Sequence, residues 1–382
     1  MILMGDRGIP NGYRHIHGYY GHTMKFVNAQ NEWTYVQIHL KSLQGIKFFT
    51  QEESCEHGPD YNQKDLYEAI ERGDFPRWSL EVQTMTAAQA EAAWTEQGIN
   101  VFDMTHIWPQ KQFPRREIGV LELNQNAVNY FAEVEQVAFS PSHLVPGIEP
   151  SADPVLQSRL FSYSDAHRHR IGTNYQQLPV NRPMTCPYAM GNFQRDGAMA
   201  FYNQGKRPSY LSSSDPITFL PRAVDVDATH AQFVGQAVAF LSEIRPEDFN
   251  APRALWERVW DEPARARFVK NISGHMENCR DKEIIKRQIG IFREVSPEIA
   301  QRLEKATGVK GYEGIKGLRF NGSHNGMAEK EGDRAANGME RPISLRETVG
   351  ATNGAPVQGT HVMKGAVMNG VSKGGPATAA VH

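Results

Sequence analysis

The run Arg159-Leu-Phe-Ser-Tyr-Ser-Asp-Ala-His-Arg-His-Arg170 concentrates side chains that can do chemistry. Wound as a helix of about 3.6 residues per turn, it places Arg159, Tyr163, Ala166, His167 and Arg170 within roughly a quarter of the circumference. One stripe then carries a phenol, two guanidiniums and an imidazole. A guanidinium one turn before a tyrosine favours the phenolate, because a nearby opposite charge stabilises the ionised form. A phenolate is a hard anionic ligand suited to ferric iron. The same spacing also describes an ordinary surface i, i+4 pair followed by a solvated charge run.

Elements able to position such a stripe can be read on both sides of it. Thr23–Val27 and Trp33–Leu40 alternate as half-buried strands, with Thr34, Val36, Ile38 and Leu40 predicted on one side, joined by the polar connection 28–32. Ser79–Met85 and Ile118–Asn124 read as two more strands. Helices are predicted over Asp65–Arg72, ended by Gly73, and over the alanine-rich stretch Ala87–Trp94. Consecutive strands with one apolar face argue for an antiparallel sheet. Four such strands make about half of a closed barrel. Residues 126–245 are rich in Pro, Asn, Gly and Tyr, an irregular length expected where a chain is functional or packs over something larger. Helical periodicity returns over 231–244, 251–260, 262–276, 284–292 and 297–306, with Trp256, Val259 and Trp260 predicted to share a core face. Beyond Gly311 the composition is too poor in large apolar residues to fold, and 311–382 reads as a disordered tail.

Composition narrows the classes. The 382 residues carry a net charge of −2, which gives no general attraction to nucleic acid or acidic membranes. No window approaches the ~18 apolar residues that a spanning helix needs. The three cysteines, Cys55, Cys186 and Cys279, form no Cys-x-x-Cys pattern, which argues for a reducing compartment without a disulfide frame or zinc site. The N-terminal run Met1-Ile-Leu-Met4 is too short and too soon charged for a signal peptide, so secretion is not expected. The chain ends Ala-Val-His, which is not a Ser-Lys-Leu peroxisomal address.

The Tyr163 run resembles the proximal haem-ligand signature of the monofunctional haem catalases, small-subunit type. Its flanks are similar as well: Asn126-Ala-Val-Asn-Tyr-Phe-Ala-Glu-Val-Glu-Gln136, Pro146-Gly-Ile-Glu-Pro150, Asn174-Tyr175, Pro179-Val-Asn181 and Asn192-Phe-Gln-Arg-Asp-Gly197. The likeness runs from about Asp6 to Gly274. It implies an α+β fold: the second half of an antiparallel eight-stranded β-barrel over 1–125, an extended wrapping segment with the ligand helix over 126–245, and a C-terminal helical domain over 246–310. It also implies a homotetramer, and dismutation of hydrogen peroxide to water and oxygen in the cytoplasm or peroxisome.

By the same resemblance Tyr163 is the iron ligand, Arg159 keeps it anionic, and a relay runs on through His22 to Asp153, which would hold His22 charged. The haem pocket would add Met104, Val155, His167 and Arg170, the last two suited to propionate carboxylates. Arg7 and Lys41 stand where NADPH-binding members grip the 2'-phosphate, and Ile107, Trp108, Leu255 and Val259 are candidates for the adenine side. Gly5, His17, Gln110 and Ala251 depart from that pattern, which puts NADPH in doubt. In the family, the distal His and Asn that position peroxide precede the point matching Met1, and the run Met1–Met4 is similar to an internal barrel strand. The chain is therefore expected to be the C-terminal part of a longer catalase. The alternative expectation is a non-catalytic haem-binding or oligomer-forming remnant.

Overall fold

The structure is a computed structural model that describes residues 1–182, 196–200, 210, 212–214, 228–239 and 244–314. Much of the expected wrapping segment, Cys186, Asn192–Arg195 and everything after 314 lie outside the described residues. Six antiparallel strands form one curled, half-barrel sheet: β1 Gly18–Tyr19, β2 Met24–Val27, β3 Trp33–Ser42, β4 Arg77–Met85, β5 Arg116–Glu122 and β6 Ile148–Pro150. The order is β5-β4-β3-β2-β6, with β1 paired to the far end of β3. Register follows the pleat, Val36 standing opposite both Met24 and Thr84. The three-residue β6 is the strand that the sequence pattern does not show, because it lies in the Pro-Gly-Ile-Glu-Pro stretch.

The sheet is covered on both faces, so β3 does not follow a simple apolar-in, polar-out rule. Val36, with Met24 and Val82, forms a small core sealed by Leu156. On the other face Tyr35 and Met85 join Ala90, Ala93, Phe102, Trp108, Phe113 and Phe233. Gln37 and His39, expected to face water, are buried there. His39 Nε2 lies 2.9 Å from Oε1 of Gln83, and the Gln83 amide donates to the main-chain oxygen of Phe113, while His39 Nδ1 is buried without a hydrogen-bond partner.

The helices are α1 Gln51–Ser54, α2 Tyr61–Glu71, α3 Ala87–Gln97, α4 Pro154–Arg170, α5 Ala228–Val238, α6 Asn250–Ala254, α7 Glu262–Glu277, α8 Lys282–Val295 and α9 Pro297–Thr307. α3 starts at a Thr86–Gln89 capping box and stops at Gly98, whose φ of 67° a side chain would resist. α7 to α9 wrap Phe268, Ile285, Ile289, Ile299 and Leu303, with Trp256 among them.

Three expectations change. Met1–Met4 is not a strand: Ile2–Met4 is a 3₁₀ turn, and Met1 and Met4 pack on the helical cluster, an apolar surface that satisfies them without a pairing edge. Val259 is not a core residue. Leu255–Val259 is a π-turn continuing α6, and its wider winding leaves Val259 58% exposed while Trp256 is 1% exposed. The tail does not begin at 311, because residues 311–314 return along α8. Tyr312 donates through its hydroxyl to Glu283, and the absence of a Cβ at Gly290 and Gly311 permits the close approach to Tyr312 and Ile289.

Candidate active site

α4 begins where a proline can sit without breaking a bond: Pro154 occupies the first turn, and Asp153 caps the helix by accepting from the amides of Val155 and Leu156 through Oδ1. The helix is anchored by one fully buried residue, Leu156, against the sheet. That anchor fixes the rotation of the stripe that follows. Asp153 itself is held by β2 and β6. Its amide donates to Ser151 Oγ, whose hydroxyl donates to the main-chain oxygen of Thr23, next to His22.

These contacts bring the expected relay together as one unbroken chain. The Arg159 guanidinium donates to the Tyr163 phenol oxygen at 2.8 Å. Its other terminal nitrogen lies 2.7 Å from His22 Nε2, and His22 Nδ1 lies 2.7 Å from Asp153 Oδ2. A guanidinium has donors only, so His22 Nε2 must be the acceptor. The imidazole proton is therefore on Nδ1, facing the carboxylate. This corrects the expectation of a charged His22. The imidazole between Arg159 and Asp153 has each nitrogen in a fixed role, Nε2 accepting from the guanidinium and Nδ1 donating to the carboxylate. His22 and Asp153 are each 1% exposed, and their complete pairing is what makes that burial tolerable.

The remaining candidates gather around this chain. Val155, half-exposed, is on the first turn of α4. Met104 is brought beside Gly21: a Cβ built there would lie 3.3 Å from the Met104 methyl. His167 stacks edge-on to Tyr163 at 6.1 Å. His167 and Arg170 do not stand free as two cations. His167 Nε2 donates to Phe139 O at 2.7 Å, and Arg170 reaches the main-chain oxygens of Glu135 and Val137. They fasten segment 135–139 to α4.

His17 feels the charge of Arg7, Lys41 and Arg115. Burial and these three cations push the His17 imidazole down to about 4, and its Nδ1 accepts from the Ser42 amide at 3.0 Å. Lys41 donates to the Tyr19 hydroxyl at 2.9 Å. Of the proposed adenine-side residues, Ile107 lines a cavity of ≈ 410 Å³ with Ala251, Thr105, His106 and Asp248. Trp108 is buried beneath, against Phe113, and is not available as an exposed wall.

Sequence reasoning missed Ser151, Gln157, Tyr20 and Arg115. Ser151 and Gln157 act through main-chain bonds, which no side-chain pattern advertises. Tyr20 stands edge-on to His22 at 5.9 Å, and burial raises its phenol. Its place just upstream of Gly21-His22 was the available signal. Among the described residues no group of three or more His, Cys, Asp or Glu forms a metal cage, so a metal here would depend on the phenol oxygen and a group that brings its own ligands.

A family profile described as "Catalase" matches residues 1–216, and one described as "Catalase-related immune-responsive" matches 242–307. The chain is 44% identical over 314 residues to a catalase of Schizosaccharomyces pombe, covering 80% of this chain and 59% of that one. It is 42% identical to catalase A of Pseudomonas putida, covering 81% and 63%. A fungal catalase crystal structure superposes with a TM-score of 0.68 at 42% identity, over 81% of this chain and 62% of the other. Catalase A of Saccharomyces cerevisiae gives 0.66 at 39%, over 80% and 63%. The chain thus spans about three-fifths of the length of the relatives it matches.

Proposed function

The chain belongs to the catalase family, and from that premise we propose that it holds haem through Tyr163 and serves the dismutation of hydrogen peroxide to water and oxygen. The observation that carries this reading is the continuous chain Tyr163–Arg159–His22–Asp153. Its donor set fits a ferric porphyrin, because the phenol oxygen receives a guanidinium N–H that stabilises negative charge on it. Half-exposed apolar side chains, Val155 and Met104, stand nearby to meet a flat macrocycle. The bound haem would supply the iron redox chemistry by which one peroxide is reduced and a second oxidised.

The chain's own residues hold charge and position. Arg159 sets its positive charge and an N–H donor against the proposed ligand oxygen. His22, locked as the Nδ1–H tautomer, gives Arg159 an acceptor on its far side and prevents it from swinging away. Asp153 locks that tautomer. The resemblance assigns His167 and Arg170 to the propionate side, where they would exchange bonds to the main-chain oxygens of Phe139, Glu135 and Val137 for propionate oxygens. A homotetramer is supported by exposed apolar residues such as Phe131, Phe139 and Phe161, more than a lone soluble chain is expected to leave bare. Arg7 and Lys41 are assigned to the 2'-phosphate of NADPH. Relatives in Candida albicans and Candida tropicalis are named peroxisomal catalases, which supports a peroxisomal or cytoplasmic location. No helix among the described residues is long and apolar enough to cross a membrane.

A second reading is haem binding without turnover. Adding haem to the purified chain, recording the Soret band and following oxygen release separates the two. Uptake with oxygen release supports dismutation, and uptake without it supports the second reading. An unchanged Soret band in Tyr163→Phe would mean that the ligand is wrongly assigned.

A further inference from the structure

A second phenol–imidazole–carboxylate chain lies on the opposite face of the sheet, and the relay at α4 makes no use of it. The Tyr35 hydroxyl is 2.7 Å from His230 Nε2, and His230 Nδ1 is 2.8 Å from Glu91 Oε1. Tyr35 comes from β3, His230 from α5 and Glu91 from α3. Tyr35 is 2% and His230 4% exposed, while Glu91 reaches toward solvent. The carboxylate takes the Nδ1 proton as its hydrogen-bond donor, so the Nε2 lone pair points at the phenol. Trp33 stands edge-on to Tyr35 at 4.9 Å and 5.3 Å from the His230 ring. Trp33 is only partly buried and carries the Lys25 ammonium over its outer face.

We propose that Tyr35, His230 and Glu91 form a proton-coupled redox site that gives up one electron, through Trp33, to a strong one-electron oxidant. In the step, the phenolic O–H bond breaks. The electron passes to a one-electron oxidant of the kind peroxide chemistry generates, and the proton passes to His230 Nε2. The products are a neutral tyrosyl radical, an imidazolium paired with the Glu91 carboxylate and the oxidant reduced by one electron; a one-electron reductant such as ascorbate, with return of the proton from His230 Nε2, restores the phenol.

Burial and the Glu91 carboxylate push the Tyr35 phenol far above its ordinary range, so loss of the proton alone would leave an anion in an apolar core. Loss of the electron alone would leave a buried cation. Loss of both together leaves the ring uncharged, and the base needed for this is already in hydrogen-bond contact. The site is also tied to the relay segment, since the Thr23 hydroxyl next to His22 donates to Val101 O and Phe102 lies edge-on to Tyr35 at 5.5 Å. The supply of oxidant in the cell rests on the catalase reading, but the chemistry of the site does not, so the test is run on the haem-free full chain.

Azide radicals generated by pulse radiolysis oxidise tryptophan, and the transient spectrum then follows intramolecular conversion of tryptophanyl to tyrosyl radical. The expected result is a first-order conversion, independent of protein concentration, that is at least twofold slower in deuterated water. It should be at least fivefold slower in His230→Gln, with the deuterium effect lost, and most of its amplitude should vanish in Tyr35→Phe. Absence of the conversion in the unaltered chain overturns the proposal, as does an equal rate in His230→Gln. The deuterium measurement on the unaltered chain decides even if a variant fails to fold.

Discussion

His22 and Asp153 meet at 2.7 Å between Nδ1 and Oδ2, although 131 positions separate them in the chain. The carboxylate does two things with its two oxygens: Oδ1 caps α4, and Oδ2 fixes the imidazole tautomer. The start of the helix and the far end of the relay are thus one residue. An amide at 153 cannot reproduce both. If its oxygen caps the helix, its NH₂ faces His22 Nδ1 and forces the imidazole proton onto Nε2, donor against donor with Arg159. If its oxygen faces His22, its NH₂ faces the amides of Val155 and Leu156. Asp153→Asn is therefore expected to cost about 1–3 kcal/mol in urea unfolding. Haem should also dissociate about tenfold faster, the equivalent of ~1.4 kcal/mol, as followed by the Soret band on mixing with apomyoglobin.

Arg159 reaches Tyr163 and His22 from two different terminal nitrogens. A lysine retains the charge but offers one ammonium nitrogen, which cannot occupy both positions of the fork. Arg159→Lys should leave stability within about 1 kcal/mol, the scale of a partly exposed ion pair. Haem affinity in a Soret titration should drop about tenfold or more, a change of ~1.4 kcal/mol or more. An equal loss in both measurements would reduce Arg159 to a structural role.

The Arg159–Tyr163 pair was legible as one helical turn of spacing, while its extension to His22 and Asp153 came only from the resemblance to the catalases. The charge state of His22 was not legible. It depends on which ring nitrogen meets which partner, and that is set by the Ser151 clamp on the Thr23 main chain, invisible to side-chain patterns. Strands β2, β3 and β4 followed from alternation, but the burial of Gln37 and His39 did not, because alternation assigns one face to water and this sheet is covered on both faces. Val259 was misplaced for a different reason: a π-turn adds a residue to one winding and breaks the 3.6-residue phase on which the expectation rested.

His17 gives a pH signature. Its folded-state value of about 4 lies below the ordinary 6.5, so the folded chain binds fewer protons there than the unfolded chain. Stability from this group is complete above pH ~6.5, is lost as pH falls from ~6.5 toward ~4, and is flat below. Protonation would also place an N–H against the Ser42 amide that now donates to Nδ1. Urea midpoints for the unaltered chain and His17→Asn should therefore converge as pH is lowered from 7 to 4.5. Parallel curves would show that the surrounding cations do not act on this ring.

Leu156 is the one fully buried side chain of α4 and sits in the core shared with Met24, Val36 and Val82, with Leu160 of the same helix packed on its edge. Removing its three outer carbons leaves a cavity under the first turn, a change that costs about 2–5 kcal/mol in comparable cores. The loss should not stay local. Asp153 caps the same turn, and Arg159 lies three residues beyond, so a helix free to rotate about its axis would carry the guanidinium away from His22, which the sheet holds in place. Leu156→Ala is thus expected to lower the unfolding free energy by that amount and also to weaken haem retention, although position 156 touches none of the relay atoms. Leu303→Ala, in the separate core of α7 to α9, should cost a similar stability and leave the Soret titration unchanged. The pair of variants therefore tests whether the rotation of α4 is set by this single anchor, since equal Soret behaviour in the two would show that it is not.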